Sequence, residues 1–252
     1  MNPPAPSPSV PVDLRAAVAF LTPFGNRRAS RPSPATMAYF PVVGASLGAL
    51  IGVCWHTSRR RLPPLPAAAL VVAIDALMTG GLHLDGLADT ADGLCAHVPA
   101  KSRLEIMAEP QVGTFAVVAL VAALISRTAA FSALEPSPAL LAALYCSSRS
   151  VMVVGSRALP YAREDGLATA FLPAPGGPDG ALVAGLAGAG AALLLATLVA
   201  GRRGARAVVG GWASGALVLV LARRRIGGFT GDVLGAAGAV CETTGLVMAA
   251  TK

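Results

Sequence analysis

Seven apolar runs, each near the length of a membrane crossing, occupy most of this chain: residues 37–55, 67–84, 112–134, 139–159, 181–200, 207–222 and 233–250. Hydrocarbon offers no partner to a backbone N–H or C=O, so such runs fold as helices. Crossing takes about 20 residues. A soluble domain carries about 25% charged residues; this chain carries 13%, with 54% hydrophobic residues. The expected fold class is therefore all-α, a polytopic membrane helix bundle of about seven transmembrane helices. Residues 12–24 are apolar but too short to span and predict a short interfacial helix at the N-terminal end. Residues 1–11, rich in Pro, Ser and Ala, are expected to be a disordered tail, leaving 12–252 as one integral-membrane domain.

The net charge of +7 comes mostly from arginines flanking the apolar runs. Topology and anionic lipid account for such clusters, so the lipid bilayer is the expected partner and nucleic acid is not. Cys54, Cys95, Cys146 and Cys241 are scattered, with no Cys-x-x-Cys pair, and predict neither a zinc site nor a disulfide framework. No cleavable signal pattern is evident: the first apolar patch runs into Arg27, Arg28 and Arg31. Gly44, Gly48 and Gly52 repeat every fourth residue and predict a smooth ridge for close helix packing.

Acidic residues number only 13, yet Asp85, Asp89 and Asp92 fall within eight positions directly after the second run. At about 100° per residue they stand near 0°, 40° and −20° on a helical wheel, on one face of one helix. Like charges at that spacing repel. At the bilayer centre each would cost about 2.5–3.5 kcal/mol, less toward the edge. A divalent cation offsets both penalties, and Mg²⁺ takes hard oxygen ligands, usually a few carboxylates plus substrate phosphates. Gly80, Gly81, Gly86 and Gly93 are expected to clear space for a bulky ligand beside the acidic face. His83 points away from that face, which suits packing or hydrogen bonding.

Arg127 and Arg149 lie inside apolar runs and are expected to face the bundle interior, where a guanidinium fork suits phosphate. Pairing with the aspartates is the other reading. Asp75, inside the second run, is either a neighbour of the site or a helix-contact residue. Glu242 is too deep in the last run to be a helix cap. With the aspartate segment placed in the cytoplasm, the inside loops hold Arg15, Arg27, Arg28, Arg31, Lys101, Arg103, Arg157, Arg163, Arg223, Arg224 and Arg225. The outside loops hold Arg59, Arg60, Arg61, Arg202, Arg203, Arg206 and Lys252. The excess favours that orientation. It also brings the Arg163 loop and the Asp232 loop to the aspartate side.

The stretch Thr79-Gly-Gly-Leu-His-Leu-Asp-Gly-Leu-Ala-Asp-Thr-Ala-Asp-Gly93 resembles the signature of the cobalamin synthase family, the adenosylcobinamide-GDP ribazoletransferases. The resemblance continues through Phe20-Leu21-Thr22, Tyr39-Phe40-Pro41, Leu104-Glu105-Ile106-Met107, Val112-Gly113-Thr114, Ser148-Arg149, Tyr161-Ala162-Arg163-Glu164 and Thr230-Gly231-Asp232. The chain departs from the family at Glu109-Pro110, where Asp-Ser is usual, at Pro23-Phe24-Gly25, and at Asp75, which looks like an addition. The resemblance implies that α-ribazole or its 5′-phosphate attacks adenosylcobinamide-GDP and displaces GMP at the membrane. Mg²⁺ would be held by Asp85, Asp89, Asp92, Asp232 and Glu109. Asp92 or Asp89 would accept the hydroxyl proton. Arg149, Arg127, Arg163, Gly86, Gly93 and His83 would contact substrate. It further implies the bacterial cytoplasmic (inner) membrane with the active site facing the cytoplasm. Self-association, or association with other enzymes of corrinoid synthesis, stays open.

Two other readings are weighed beside it. A lipid phosphotransferase using a CDP-linked donor would also need aspartates at the membrane face, but here the spacing is Asp-x-x-x-Asp-x-x-Asp, with no arginine closely following Gly93. A transporter could use the intramembrane Asp75, Glu242, Arg127 and Arg149, yet there is no second copy of the aspartate motif of the kind repeated halves would give.

Overall fold

The computed structural model describes residues 10–25, 32–164, 166–173 and 179–251. Most of the expected tail, the loop arginines Arg27, Arg28 and Arg31, and also Asp165 and Lys252, lie outside them. Within them the chain is helical, and the one β contact is an isolated parallel bridge between Tyr161 and Phe229. The helices are α1 (Val10–Leu21), α2 (Phe40–Arg59), α3 (Pro64–Met78), α4 (Leu82–Cys95), α5 (Ala100–Ile106), α6 (Thr114–Ala133), α7 (Pro138–Ala158), α8 (Gly180–Ile226) and α9 (Gly231–Ala250). Short 3₁₀ turns at Pro34–Tyr39 and Leu167–Phe171 complete the framework.

Five of these helices are individually long and apolar enough to cross a membrane, and the bent α3–α4 pair makes a sixth. The 47-residue α8 contains a non-helical residue at Gly201 (φ 58°, ψ −139°). A Cβ at Gly204 would lie 1.9 Å from the carbonyl oxygen of Ala196, so the chain folds back on itself there. Divided at Gly201, α8 supplies two crossings. The total is then seven among the described residues: α2, α3–α4, α6, α7, two from α8, and α9. The loop expected between the fifth and sixth runs is a turn about one glycine.

Lipid tails are as apolar as leucine, so helix association here depends on close packing more than on hydrophobic burial. The glycine ridge of α2 shows how. A Cβ at Gly44, Gly48 or Gly52 would lie 2.6 Å from Tyr145 O, 2.3 Å from Leu141 O or 2.5 Å from Pro138 Cα. Each glycine seats α2 directly on the backbone of α7. Gly211 and Gly215 do the same between α8 and α9, facing Cys241 O and Ala237 O at 2.7 and 3.0 Å. Helix α7 is the most enclosed span, and α2, α8 and α9 surround it.

The second run does not continue straight into the acidic segment. Gly80 and Gly81 both adopt positive φ (61° and 69°), and α4 leaves α3 at 89°. Only glycine takes two successive left-handed residues without strain. The bend separates Asp75, buried in α3, from the carboxylates of α4. Helix α1 lies against the 3₁₀ turn at Pro34–Tyr39. There the buried Asp13 accepts hydrogen bonds from Ser33 Oγ (2.6 Å) and Thr36 Oγ1 (2.8 Å).

Candidate active site

Where α4 crosses the start of α9, a Cβ at Gly86 would lie 2.7 Å from the carbonyl oxygen of Asp232. Gly86 therefore lets the two backbones touch and places Asp232 beside the acidic helix. The space expected for ligand at Gly86 is filled by protein. The same holds at Gly93, where Met107 and the carbonyl of Arg103 occupy the room a side chain would take. Arg103 is buried and donates to the carbonyls of Gly93 (3.0 Å) and Leu94 (2.7 Å), closing the C-terminal end of α4. These glycines act on the site by permitting helix contact.

The Tyr161 loop is fixed by two backbone bonds, from Ala162 N to Phe229 O and from Phe229 N to Pro160 O, both 2.9 Å. That register carries Arg163 to within 3.4 Å of the Asp232 carboxylate. A cavity of about 320 Å³ opens between these parts. It is lined by the polar side chains of His83, Asp85, Tyr161, Arg163 and Asp232 and by the apolar ones of Ala16, Phe20 and Met152. Asp85 is exposed, and His83 is buried with its Nε2 unpartnered. Asp89 is half-buried, one turn along α4. It stands in the field of Asp85, Asp232 and Asp92, with Arg163 as the neighbouring cation.

Four other expected site residues are not in the cavity lining. Asp92 accepts hydrogen bonds from the backbone N–H groups of Gly113 (2.6 Å) and Ala116 (2.9 Å). Its carboxylate thus caps the start of α6, where unpaired N–H groups and the helix dipole favour a negative charge. Arg127 and Arg149 lie in a buried network and are not among the residues that line the cavity. Arg127 donates to Asp75 (2.6 Å) and Glu242 (2.9 Å), and Arg149 pairs with Glu242. Ser148 also donates to Glu242, at 2.7 Å. Two guanidinium groups and two carboxylates thus balance in charge in the apolar interior, and of the three arginines Arg163 is the one that lines the cavity. Glu109 is exposed in the turn between α5 and α6, with no ion pair among the described residues.

Among the described residues, no group of three or more His, Cys, Asp or Glu side chains is arranged to hold a metal ion by itself. The donor set still suits a hard cation: among the described residues three carboxylates, Asp85, Asp89 and Asp232, share one region in which Arg163 opposes them. Mg²⁺ is usually bound through one or two carboxylates plus substrate phosphates, so a complete protein cage is not required. Sequence reading placed Phe20 in one of the segments that carry the resemblance and did not single out Met152; that both line the same cavity as Asp85 and Asp232 is visible only in the fold.

Comparison with known proteins follows the same lines. Residues 13–250 match the model of the family described as cobalamin-5-phosphate synthase. A protein of Escherichia coli named adenosylcobinamide-GDP ribazoletransferase is 37% identical over 202 residues, covering 79% of this chain and 80% of its own length. One of the same name from Bradyrhizobium diazoefficiens is 36% identical, covering 96% of this chain and 94% of its own. No solved structure matches. With the signature segment forming the acidic wall and the match running almost end to end, the chain belongs to the cobalamin-5-phosphate synthase family of transferases.

Proposed function

We propose that this protein joins adenosylcobinamide-GDP to α-ribazole, or to α-ribazole 5′-phosphate, with release of GMP, at the bacterial cytoplasmic membrane. The observation that carries this reading is the convergence of Asp85, Asp232 and Arg163, from three separate segments, on one cavity. The ribose hydroxyl of the acceptor forms a new bond to the cobinamide-side phosphorus. The bond from that phosphorus to the GMP oxygen breaks, and the hydroxyl proton passes to a carboxylate. Such a transfer calls mainly for positioning and charge neutralisation at phosphorus.

Arg163 binds phosphate oxygens through its fork of donors. Its partner Asp232 orients that fork from the start of α9. Asp85, Asp89 and Asp232 would hold Mg²⁺, which when bound neutralises pyrophosphate charge. Asp89 would take the hydroxyl proton, since both oxygens of Asp92 already accept backbone N–H groups. His83 offers a hydrogen bond from the cavity wall. The charge asymmetry of the loops supports a site facing the cytoplasm.

The test supplies purified protein in liposomes with adenosylcobinamide-GDP, α-ribazole and Mg²⁺. Stoichiometric GMP and adenosylcobalamin are expected. Neither product under conditions where the Escherichia coli relative is active contradicts the reading; CMP released from a CDP-alcohol would support a lipid phosphotransferase instead.

A further inference from the structure

In the last turn of α7, Arg157 keeps its side chain 3% exposed without lining the cavity. Its three nitrogens serve three separate segments. Nη2 donates to Pro34 O (3.2 Å), at the start of the first 3₁₀ turn. Nη1 donates to Phe171 O (3.0 Å), at the end of the second. Nε lies 2.8 Å from the carboxylate of Asp179, whose other oxygen accepts from Leu182 N (3.2 Å) at the start of α8. A planar guanidinium holds three such partners in fixed directions; the point charge of a lysine does not.

The second of these segments reaches the cavity. The 3₁₀ turn Leu167–Phe171 is bracketed by two backbone bonds, from Thr169 N to Gly166 O (3.1 Å) and from Leu172 N to Thr169 O (3.2 Å). Hydrogen bonds of a 3₁₀ turn are poorly aligned, so its place depends on what grips it. At its far end Arg157 grips the Phe171 carbonyl, and the Phe171 ring meets Phe20 and Phe40 edge-on at 4.8 and 5.8 Å. At its near end Gly166 rests on Tyr161, where a Cβ would collide with the hydroxyl. Ala168 in the turn lines the cavity, as do Tyr161 and Arg163 before it. Arg163 thus sits in a loop whose entry is set by the bonds to Phe229 and whose exit is set by the 3₁₀ turn.

We propose that Arg157 is a positioning residue for the transfer: by gripping the Phe171 carbonyl it holds the exit of the Arg163 loop and keeps Arg163 in place beside Asp232. This rests on the transferase reading above, in which Arg163 binds phosphate oxygens. Arg157 itself touches no reacting atom.

The experiment compares Arg157→Met, which keeps much of the stem and removes the guanidinium, with Arg157→Lys and with Asp179→Asn, which keeps a helix cap and removes the charge. All are full chains in liposomes. Amide hydrogen exchange read by mass spectrometry reports the loop without any turnover, and kcat/KM for the donor, followed by GMP release, reports Arg163. In Arg157→Met, exchange over residues 166–172 should quicken by about tenfold or more, as for a segment that opens locally, while α2 and α9 keep their protection. The donor kcat/KM should fall by about 10–100-fold, the scale of a small misplacement set from a distance, with Arg157→Lys and Asp179→Asn in between. The deciding measurement is a cycle with Arg163→Met. Residues that act through one another are non-additive, so Arg157→Met made in the Arg163→Met background should cost less than about threefold more. Where Arg157→Met fails to purify, Asp179→Asn is carried through the same cycle. An equal loss in both backgrounds overturns the proposal, because a residue needed only for folding acts regardless of Arg163. Unchanged exchange over residues 166–172 overturns it too. Quickened exchange in a protein whose wild type releases no GMP upholds the grip and sinks the transferase reading.

Discussion

Replacing Glu242 by Gln isolates one part of this architecture. Glu242 is 2% exposed, and its carboxylate serves Arg127, Arg149 and Ser148 at once. Its removal leaves two cations and only Asp75 among groups whose side chains are at most 5% exposed. Breaking a buried ion pair from one side costs about 3–5 kcal/mol, because the remaining charge stays desolvated. For a chain of this size each kcal/mol lowers Tm by about 2–4 °C, so a fall of roughly 6–20 °C is expected. Glu242→Gln combined with Arg149→Met leaves the Arg127–Asp75 pair intact and restores charge balance. The double variant should recover about 2 kcal/mol or more relative to the sum of the single changes, within the range found for directly coupled residues. Thermal unfolding in one detergent, with the donor KM measured alongside, reads both effects. The reasoning is refuted if Glu242→Gln unfolds within about 0.5 kcal/mol of wild type, or if the double change is additive. It is equally refuted if Arg149→Met raises the donor KM while leaving Tm alone, the behaviour of a phosphate ligand.

Two further outcomes follow from the packing. Gly48→Ala sets a Cβ 2.3 Å from Leu141 O, where only backbone can give way; little folded protein should be recovered by size-exclusion chromatography, and wild-type yield and Tm would show that α2 and α7 do not pack this closely. Asp92→Asn puts an NH₂ group against one of two backbone donors, costing about 1 kcal/mol at this half-buried cap; GMP release should stay within about tenfold of wild type, and complete loss without a change in Tm would return Asp92 to the catalytic centre.

The bundle was legible because its signals are local. Apolar length marks each crossing, and the four-residue glycine repeat of α2 marks a helix contact without naming α7 as the partner. The right-angled turn after α3 could be suspected from Gly80-Gly81 but not measured. It moved Asp75 out of the acidic site. The pairing of Arg127 with Asp75 and Glu242 joins α6, α3 and α9, and no helical wheel relates three helices. Gly86 and Gly93 were read as room for ligand because a sequence shows that a side chain is missing, not what fills its place. Asp92 shares a helical face with Asp85, but the segment that reaches it, Gly113–Ala116, lies some twenty residues on. The assembly of the Asp85, Arg163 and Asp232 segments was legible through loop alternation, because crossing parity decides which loops share a side of the membrane.

The central claim is that phosphoryl transfer takes place at the wall formed by Asp85, Asp232 and Arg163. Turnover of Asp85→Asn, purified beside the wild type, tests it most directly. Asp85 is exposed and lines the cavity, so Tm should be unchanged while GMP release falls by at least about 100-fold, the scale for losing a group that stabilises transition-state charge. Release within tenfold of wild type at unchanged Tm would contradict the account.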